Sequence, residues 1–265
     1  MKNLVYKALA VLALSAAFTA CSSDDEVIAG TGNLGLEFDN SFAGNDLILD
    51  TQANTTASNE VLKISSIKYI VSNIFLTTED GTVFTYPKSS SYFIVDEADA
   101  STHVLNLKDI PAANYTKVTF GIGVDEEQYK TGANGQGDFL ATADAADMLW
   151  GWSAGYKFLA FEGTFTSSQF TTPVAFRVHT GQTATAYNYT TVSLDLNSKA
   201  LVRETITPQV HIKADLAKIL NSTNVIKLSD NNPNDTGANI MGGVNLSLIT
   251  ANIATMFTVD HVHND

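Results

Sequence analysis

Apolar and polar residues alternate along most of the chain after residue 33, and turn residues separate the short alternating runs. A period of two places every second side chain on one face, which is typical of a half-buried strand in an antiparallel sheet. The longest run, Leu62 to Thr77, changes face near Ser65-Ser66 and so predicts a bulge. Asp80-Gly81 predicts a hairpin turn after it. Further strands are predicted at residues 34–38, 46–50, 83–86, 92–95, 102–107, 115–124, 156–165, 170–178, 190–196 and 206–212.

Helical periodicity is confined to three short segments, residues 142–149, 214–220 and 241–256. The pattern as a whole therefore predicts an all-β protein, an antiparallel β-sandwich with a few short helices. The chain contains no internal repeat, and residues 33–265 are predicted to form a single domain.

Residues 1–20 predict a bacterial lipoprotein signal peptide. Lys2 and Lys7 give it a basic start, residues 8–17 form an apolar run too short to span a bilayer, and small residues precede Cys21. Cleavage before Cys21 would place this residue at the N-terminus, where its thiol can be acylated. The alternative is an ordinary secretory signal, with release of the mature chain and no lipid. Several acyl chains on one residue anchor a protein stably, so we expect membrane attachment through the lipid alone.

Residues 21–32 are predicted to be an acidic tether between this anchor and the domain. The run Ser22-Ser23-Asp24-Asp25-Glu26 resembles the surface-export signals of Bacteroidota lipoproteins, and a plain solvated linker is the other interpretation. The expected location is therefore the cell envelope, as an outer-membrane lipoprotein that faces either the periplasm or the outside.

The net charge and the cysteine content limit which partners the chain can bind and which side chains can act as metal ligands. Residues 1–20 hold two of the 15 Lys and Arg and none of the 28 Asp and Glu, so their removal takes the formal charge from −13 to −15. Nucleic acid and anionic membrane surfaces would repel such a chain, and we expect no nucleic-acid partner. Cys21 is the single cysteine, so neither a disulfide nor a thiolate ligand is available within the domain.

Both tryptophans lie in the run DMLWGWSAGY, which also contains the spacing Gly-x-Ser-x-Gly from Gly151 to Gly155. A hydrolase nucleophile elbow needs a strand before it and a helix after it, whereas here the following residues predict a strand. If the run is extended, Trp150 and Trp152 share one side and pack into the core. In the other interpretation, the two tryptophans form the wall of a ligand or metal site together with Tyr156 and Met148.

The histidines provide the metal-ligand candidates. On a strand, His261 and His263 would share a face about 6.5–7 Å apart and hold one ion, although they lie near the end of the printed sequence, where chains fray. His179 follows a strand whose apolar face carries Val178, so it is expected on the opposite face and outside the core. His103 and His211 occur in ordinary strand patterns and are interpreted as structural. Without a thiolate, such a set favours copper over structural zinc.

Several fragments occur together in an order that resembles the MbnP-like family, the methanobactin-associated periplasmic copper-binding proteins. They are SSIKYIVSNIFLTTEDGT, IPAANYTKVTFGIGVD, DMLWGWSAGYKFLAFEG, FRVHTG and MFTVDHVH, and they extend over nearly all of residues 33–263.

The resemblance implies a secreted β-rich domain that binds copper, and our own hypothesis is that the chain is not itself a catalyst. It also implies a dihaem cytochrome-c-peroxidase-like partner, which in characterised relatives oxidises a tryptophan of the copper protein to kynurenine at the metal site. On this chain those roles fall on Trp150 or Trp152, on His179, and on the terminal His261 and His263. Cysteines that relatives carry near the His-x-Gly segment are replaced here by Gln182-Thr183-Ala184.

The leading hypothesis is therefore a lipid-anchored envelope protein for copper capture or handling. A surface lipoprotein that binds glycan or peptide is the alternative from another class. It would use aromatic platforms, and Tyr187-Asn188-Tyr189 would place two rings on one strand face beside the two tryptophans.

Overall fold

The computed structural model describes residues 28–233 and 236–265. The predicted signal peptide, the acylation site Cys21 and residues 22–27 of the tether lie outside the described residues. No helix in the described part of the chain is long and apolar enough to cross a membrane.

The described residues are mostly strands, which confirms the all-β prediction. The strands are β1 Thr31–Phe42, β2 Asn45–Asp46, β3 Asn54–Thr55, β4 Val61–Thr78, β5 Val83–Thr85, β6 Tyr92–Asp96, β7 Val104–Pro111, β8 Ala113–Ile122, β9 Lys157–Thr166, β10 Val174–Gly181, β11 Thr190–Val202, β12 Pro208–Asp215, β13 Ala238–Ile240 and β14 Phe257–Asn264. The helices are α1 Glu126–Lys130, α2 Phe139–Ala145, α3 Ala217–Leu220 and α4 Val244–Ile253.

Two sheets form the sandwich. The larger has the order β11-β8-β4-β9-β10-β13, with β3, β5 and β6 also paired to β4, and the smaller has the order β14-β12-β1-β2, with β7 also paired to β1. The predicted bulge is present, because the β4–β9 register shifts between Ile64 and Ser66. The predicted Asp80-Gly81 turn joins β4 to β5.

Several details differ from the prediction, among them the helix predicted at residues 142–149, which spans Phe139–Ala145. The pairs β1–β12 and β10–β13 are parallel, so the sheets are not purely antiparallel. The strand expected at residues 46–50 ends at Asp46. Residues 49–50 form a turn instead, in which Asp50 has a φ of 62°, outside the extended region. Of the predicted helix 214–220, Ala214 belongs to β12 and only residues 217–220 are helical.

The main core lies between the sheets and is aromatic at its centre. Phe257 of β14 packs edge-on against Phe38, Tyr69 and Phe120, with ring centroids 5.3–6.0 Å apart. Edge-to-face packing of this kind is favourable beyond the burial of area. The same contacts hold β14, the last strand, in the smaller sheet.

A second, smaller core covers the outer face of the larger sheet. It contains Ile70, Phe158 and Ala160, which alternate with main-core residues such as Tyr69 and Leu159. The segment between β8 and β9 lies over these side chains and adds Val124, Ala143 and Met148. Outward-facing residues of β9 and β10 are therefore buried wherever this segment covers them.

Candidate functional site

The run that holds both tryptophans forms a tight hairpin. Leu149 and Tyr156 make an isolated antiparallel bridge, and the Trp150 N–H donates to the Gly155 carbonyl at 3.1 Å. Gly151 and Gly155 have φ of 115° and 82°, which glycine adopts without strain. The chain passes directly from this hairpin into strand β9, so the Gly-x-Ser-x-Gly spacing is not a nucleophile elbow.

The tryptophans do not share a side, contrary to the expectation for an extended run. Trp152 lies against Tyr129, with ring centroids 4.9 Å apart, and the Tyr129 hydroxyl donates to the Trp152 carbonyl at 3.0 Å. Trp150 instead lies beside His179, with ring centroids 6.1 Å apart. The turn separates the two indoles, and both are only partly buried.

Gly181 allows Trp150 its position. A Cβ at residue 181 would lie 2.8 Å from the indole Cζ3 of Trp150 and 2.5 Å from the carbonyl oxygen of Tyr156. Glycine is therefore required by the close approach of the hairpin to the end of β10.

His179 is 4% exposed, so the prediction that it lies outside the core was wrong. It does face away from the main core, but the tryptophan hairpin covers that face. Its Nε2 lies 2.6 Å from Glu162 Oε1. Because a carboxylate only accepts, Nε2 carries the hydrogen and Nδ1 retains its lone pair.

The Nδ1 atom of His179 is buried and has no hydrogen-bond partner among the residues that the structure describes. Burial lowers the pKa of His179 below its ordinary value, although Glu162 acts in the opposite direction, and Lys157 contributes to the lowering. A neutral imidazole with a free, buried lone pair is the form of histidine that binds metals.

The start of the hairpin is fixed by a buried lysine. The Lys157 ammonium donates to the Asp147 carbonyl at 2.8 Å and to its carboxylate at 2.9 Å. Met148 and Tyr156, which sequence analysis placed among the site-lining residues, are fully buried in the second core. Tyr156 donates to Gln136 at 3.3 Å. Both residues support the hairpin from beneath.

An open cavity of about 560 Å³ lies on the outer side of Trp150. Met241 lines the same cavity and is 38% exposed, so its side chain is accessible there. It directly follows β13, whose last residue, Ile240, pairs in register with Val178 of β10, the residue before His179. The methionine that sequence analysis singled out, Met148, is a fully buried core residue. Gln182, Thr183 and Ala184 also line this cavity.

The terminal histidines lie elsewhere. His261 and His263 are on β14 in the smaller sheet, where they meet His211 of β12. The predicted set of His179, His261 and His263 is therefore divided between the outer faces of the two sheets. His211, which was interpreted as structural, belongs to the second group, and its only sequence signal was its position in a strand.

The tyrosines of the alternative hypothesis are engaged with the protein itself. Tyr187 and Tyr189 precede β11, and both pack against the second core. The Tyr187 hydroxyl donates to the Val124 carbonyl at 2.9 Å, and the Tyr189 hydroxyl accepts from Asn73 at 3.0 Å. Both rings are therefore held in place by the protein and are partly buried.

Comparison with known proteins agrees with the sequence motifs. A family model described as MbnP matches residues 31–241. A solved structure, MbnP from Methylosinus trichosporium, is 13% identical, with 81% of this chain and 82% of that chain covered and a TM-score of 0.49. No curated protein is a match to this chain.

Proposed function

This chain is a member of the MbnP family, and we propose that it binds copper in the bacterial cell envelope at a site formed by His179, Met241 and Trp150. We further propose that lipid on Cys21 anchors the protein to the membrane, and that the protein captures or handles copper without catalysing a reaction. The observation that carries it is the buried His179 Nδ1, which has a lone pair and no partner elsewhere in the described structure.

The donor chemistry supports copper. Imidazole nitrogen and a thioether are ligands that suit Cu(I), whereas structural zinc sites in proteins use thiolates, which the domain lacks. The Glu162 carboxylate that accepts from Nε2 fixes the ring and its tautomer, as carboxylates do behind many metal-binding histidines. Met241 would supply a soft ligand from the cavity wall, where its side chain is accessible.

Trp150 is the residue that we propose is oxidised. It lines the cavity and lies beside His179, whereas Trp152 is stacked on Tyr129. Conversion to kynurenine inserts two oxygen atoms across the indole C2–C3 bond, and hydrolysis then releases C2 as formate. The oxidant would be two equivalents of hydrogen peroxide, reduced to water by a dihaem peroxidase-like partner, and the product would present an aniline nitrogen and a carbonyl next to His179.

The test compares Trp150→Phe with Trp152→Phe, which is a matched control in the same hairpin. Both variants would be purified from the native envelope and examined by intact mass and metal analysis. We expect copper and the kynurenine mass change to be lost in W150F and kept in W152F. Equal copper content in wild type, W150F and His179→Ala would contradict the proposal.

A further inference from the structure

We propose that His211, His261 and His263 form a second metal site, separate from the copper cavity, which binds a divalent ion such as Zn²⁺ or Co²⁺ and leaves one coordination position open. Their ligand nitrogens lie within 4.8 Å of one another on the outer face of the smaller sheet. Three histidines with an open fourth position are a known arrangement for divalent zinc.

The strand register brings the three side chains together. His211 of β12 pairs directly with His261 of β14, and Gln209 pairs with His263 one step along the same face. Val210 and Val262, between them, point to the main core. The His211 and His261 rings are stacked, with centroids 4.1 Å apart, and His263 lies edge-on to His261 at 4.6 Å.

Carboxylates hold two of the rings through Nδ1, which leaves each Nε2 as an acceptor, and Gln209 Nε2 lies 3.5 Å from His211 Nε2. His211 Nδ1 lies 2.9 Å from Glu37 Oε2, and His261 Nδ1 lies 2.8 Å from Asp260 Oδ2. Each Nδ1 therefore donates, and each Nε2 keeps its lone pair. The carboxylates are themselves fixed, since Gln209 donates to Glu37 and Lys213 donates to Asp260. Carboxylate–histidine pairs of this kind orient metal ligands.

The Nε2 atoms converge. His261 Nε2 and His263 Nε2 are 2.8 Å apart, and because His261 Nε2 keeps its lone pair, His263 Nε2 donates the hydrogen. Two nitrogens bound to one tetrahedral ion at about 2.0–2.1 Å lie roughly 3.3 Å apart, close to this spacing. A metal ion would take the place of the shared hydrogen, which moves from Nε2 to Nδ1 of His263 so that the ring stays neutral, and small ring rotations would bring in His211.

The site is accessible and firmly built. The side chains of His211, His261 and His263 are 21%, 45% and 51% exposed, so an ion can reach them directly from solvent. Strand β14 is tied to β11 as well as to β12, because the Asn264 side chain donates to the Lys199 carbonyl and accepts from the Leu201 N–H.

The test is titration of the full-length protein with Co²⁺, which gives visible ligand-field absorption in four- or five-coordinate sites. We expect equimolar binding in wild type and an affinity loss of at least about 100-fold in His261→Ala. Glu37→Gln, which leaves all three ligands in place, should lose about 10–100-fold. His103→Gln, a half-buried histidine outside the cluster, is the matched control and should bind as wild type does.

Absence of ligand-field absorption in wild type, or equal affinity in wild type and H261A, would overturn this proposal. Because His261 and His263 are half exposed, their replacement should leave thermal unfolding unchanged, which the same samples check. His179→Gln separates the two sites. This variant should lose copper binding at the cavity and keep Co²⁺ binding. If H179Q loses Co²⁺ and H261A retains it, the ion binds at the cavity and the second site is refuted.

Discussion

Replacement of Gly181 by alanine should disturb the Trp150 position directly. The new methyl carbon would lie 2.5 Å from the Tyr156 carbonyl oxygen and 2.8 Å from the indole of Trp150. Nonbonded carbons are best placed about 3.5–4.0 Å apart, so the indole would have to retreat by about 0.7 Å. Overpacking of this kind costs about 1–3 kcal/mol.

The assay is thermal unfolding together with tryptophan fluorescence in a Trp152→Phe background, where Trp150 is the only indole. For a domain of this size about 1–3 kcal/mol corresponds to a fall in Tm of about 2–12 °C. The Trp150 emission should shift to the red as the ring moves away from His179 and into the cavity.

Gly242→Ala is the matched control for this experiment. It adjoins Met241 at the same cavity, yet no described atom would lie within 4 Å of its new Cβ. Both substitutions remove the same backbone freedom from the unfolded chain, so their difference reports the contact alone. Equal Tm and equal emission in G181A and G242A would refute the packing argument.

Three further predictions follow from buried groups. Because burial lowers the pKa of His179, the unfolded chain takes up a proton at a higher pH than the folded chain does. The free energy of unfolding of the copper-free wild type should therefore decrease as the pH falls below about 6.5. Urea unfolding of His179→Gln should lack this pH dependence. Burial raises the pKa of Asp125, but hydrogen bonds from Asn73 and Lys88 outweigh it, so the pKa lies below its ordinary value. Asp125→Asn should therefore cost about 1–3 kcal/mol at pH 7, and the difference from wild type should vanish as the wild-type carboxylate is protonated below about pH 4. Phe257→Ala should destabilise the domain by about 3–5 kcal/mol in chemical denaturation, and a loss below about 1 kcal/mol would contradict its central place in the core.

Periodicity predicted most of the strands because their side chains meet different environments on the two faces. β4 is an example, since its alternation even located the bulge at Ser65-Ser66. The parallel pairs were not predictable, because register and direction depend on partners distant in the sequence. β1 and β12, for instance, are about 170 residues apart, and nothing local to either strand specifies the other.

The site was predicted in part for the same reason. Alternation placed His179 opposite Val178, but its burial depends on a hairpin that lies across β10 and whose course the local pattern does not give. Met241 and His211 were missed because each acquires its neighbours only through strand pairing. Family motifs identified the tryptophan pair, and only the turn between them distinguished Trp150 from Trp152.

The most direct measurement of the central claim is intact mass with metal analysis and peptide mapping on the wild-type protein from its native envelope. The account predicts copper in equimolar amount and a mass change of one carbon lost and one oxygen gained, mapped to Trp150. A chain with unmodified Trp150 that takes up no copper when Cu(I) is added back would contradict it.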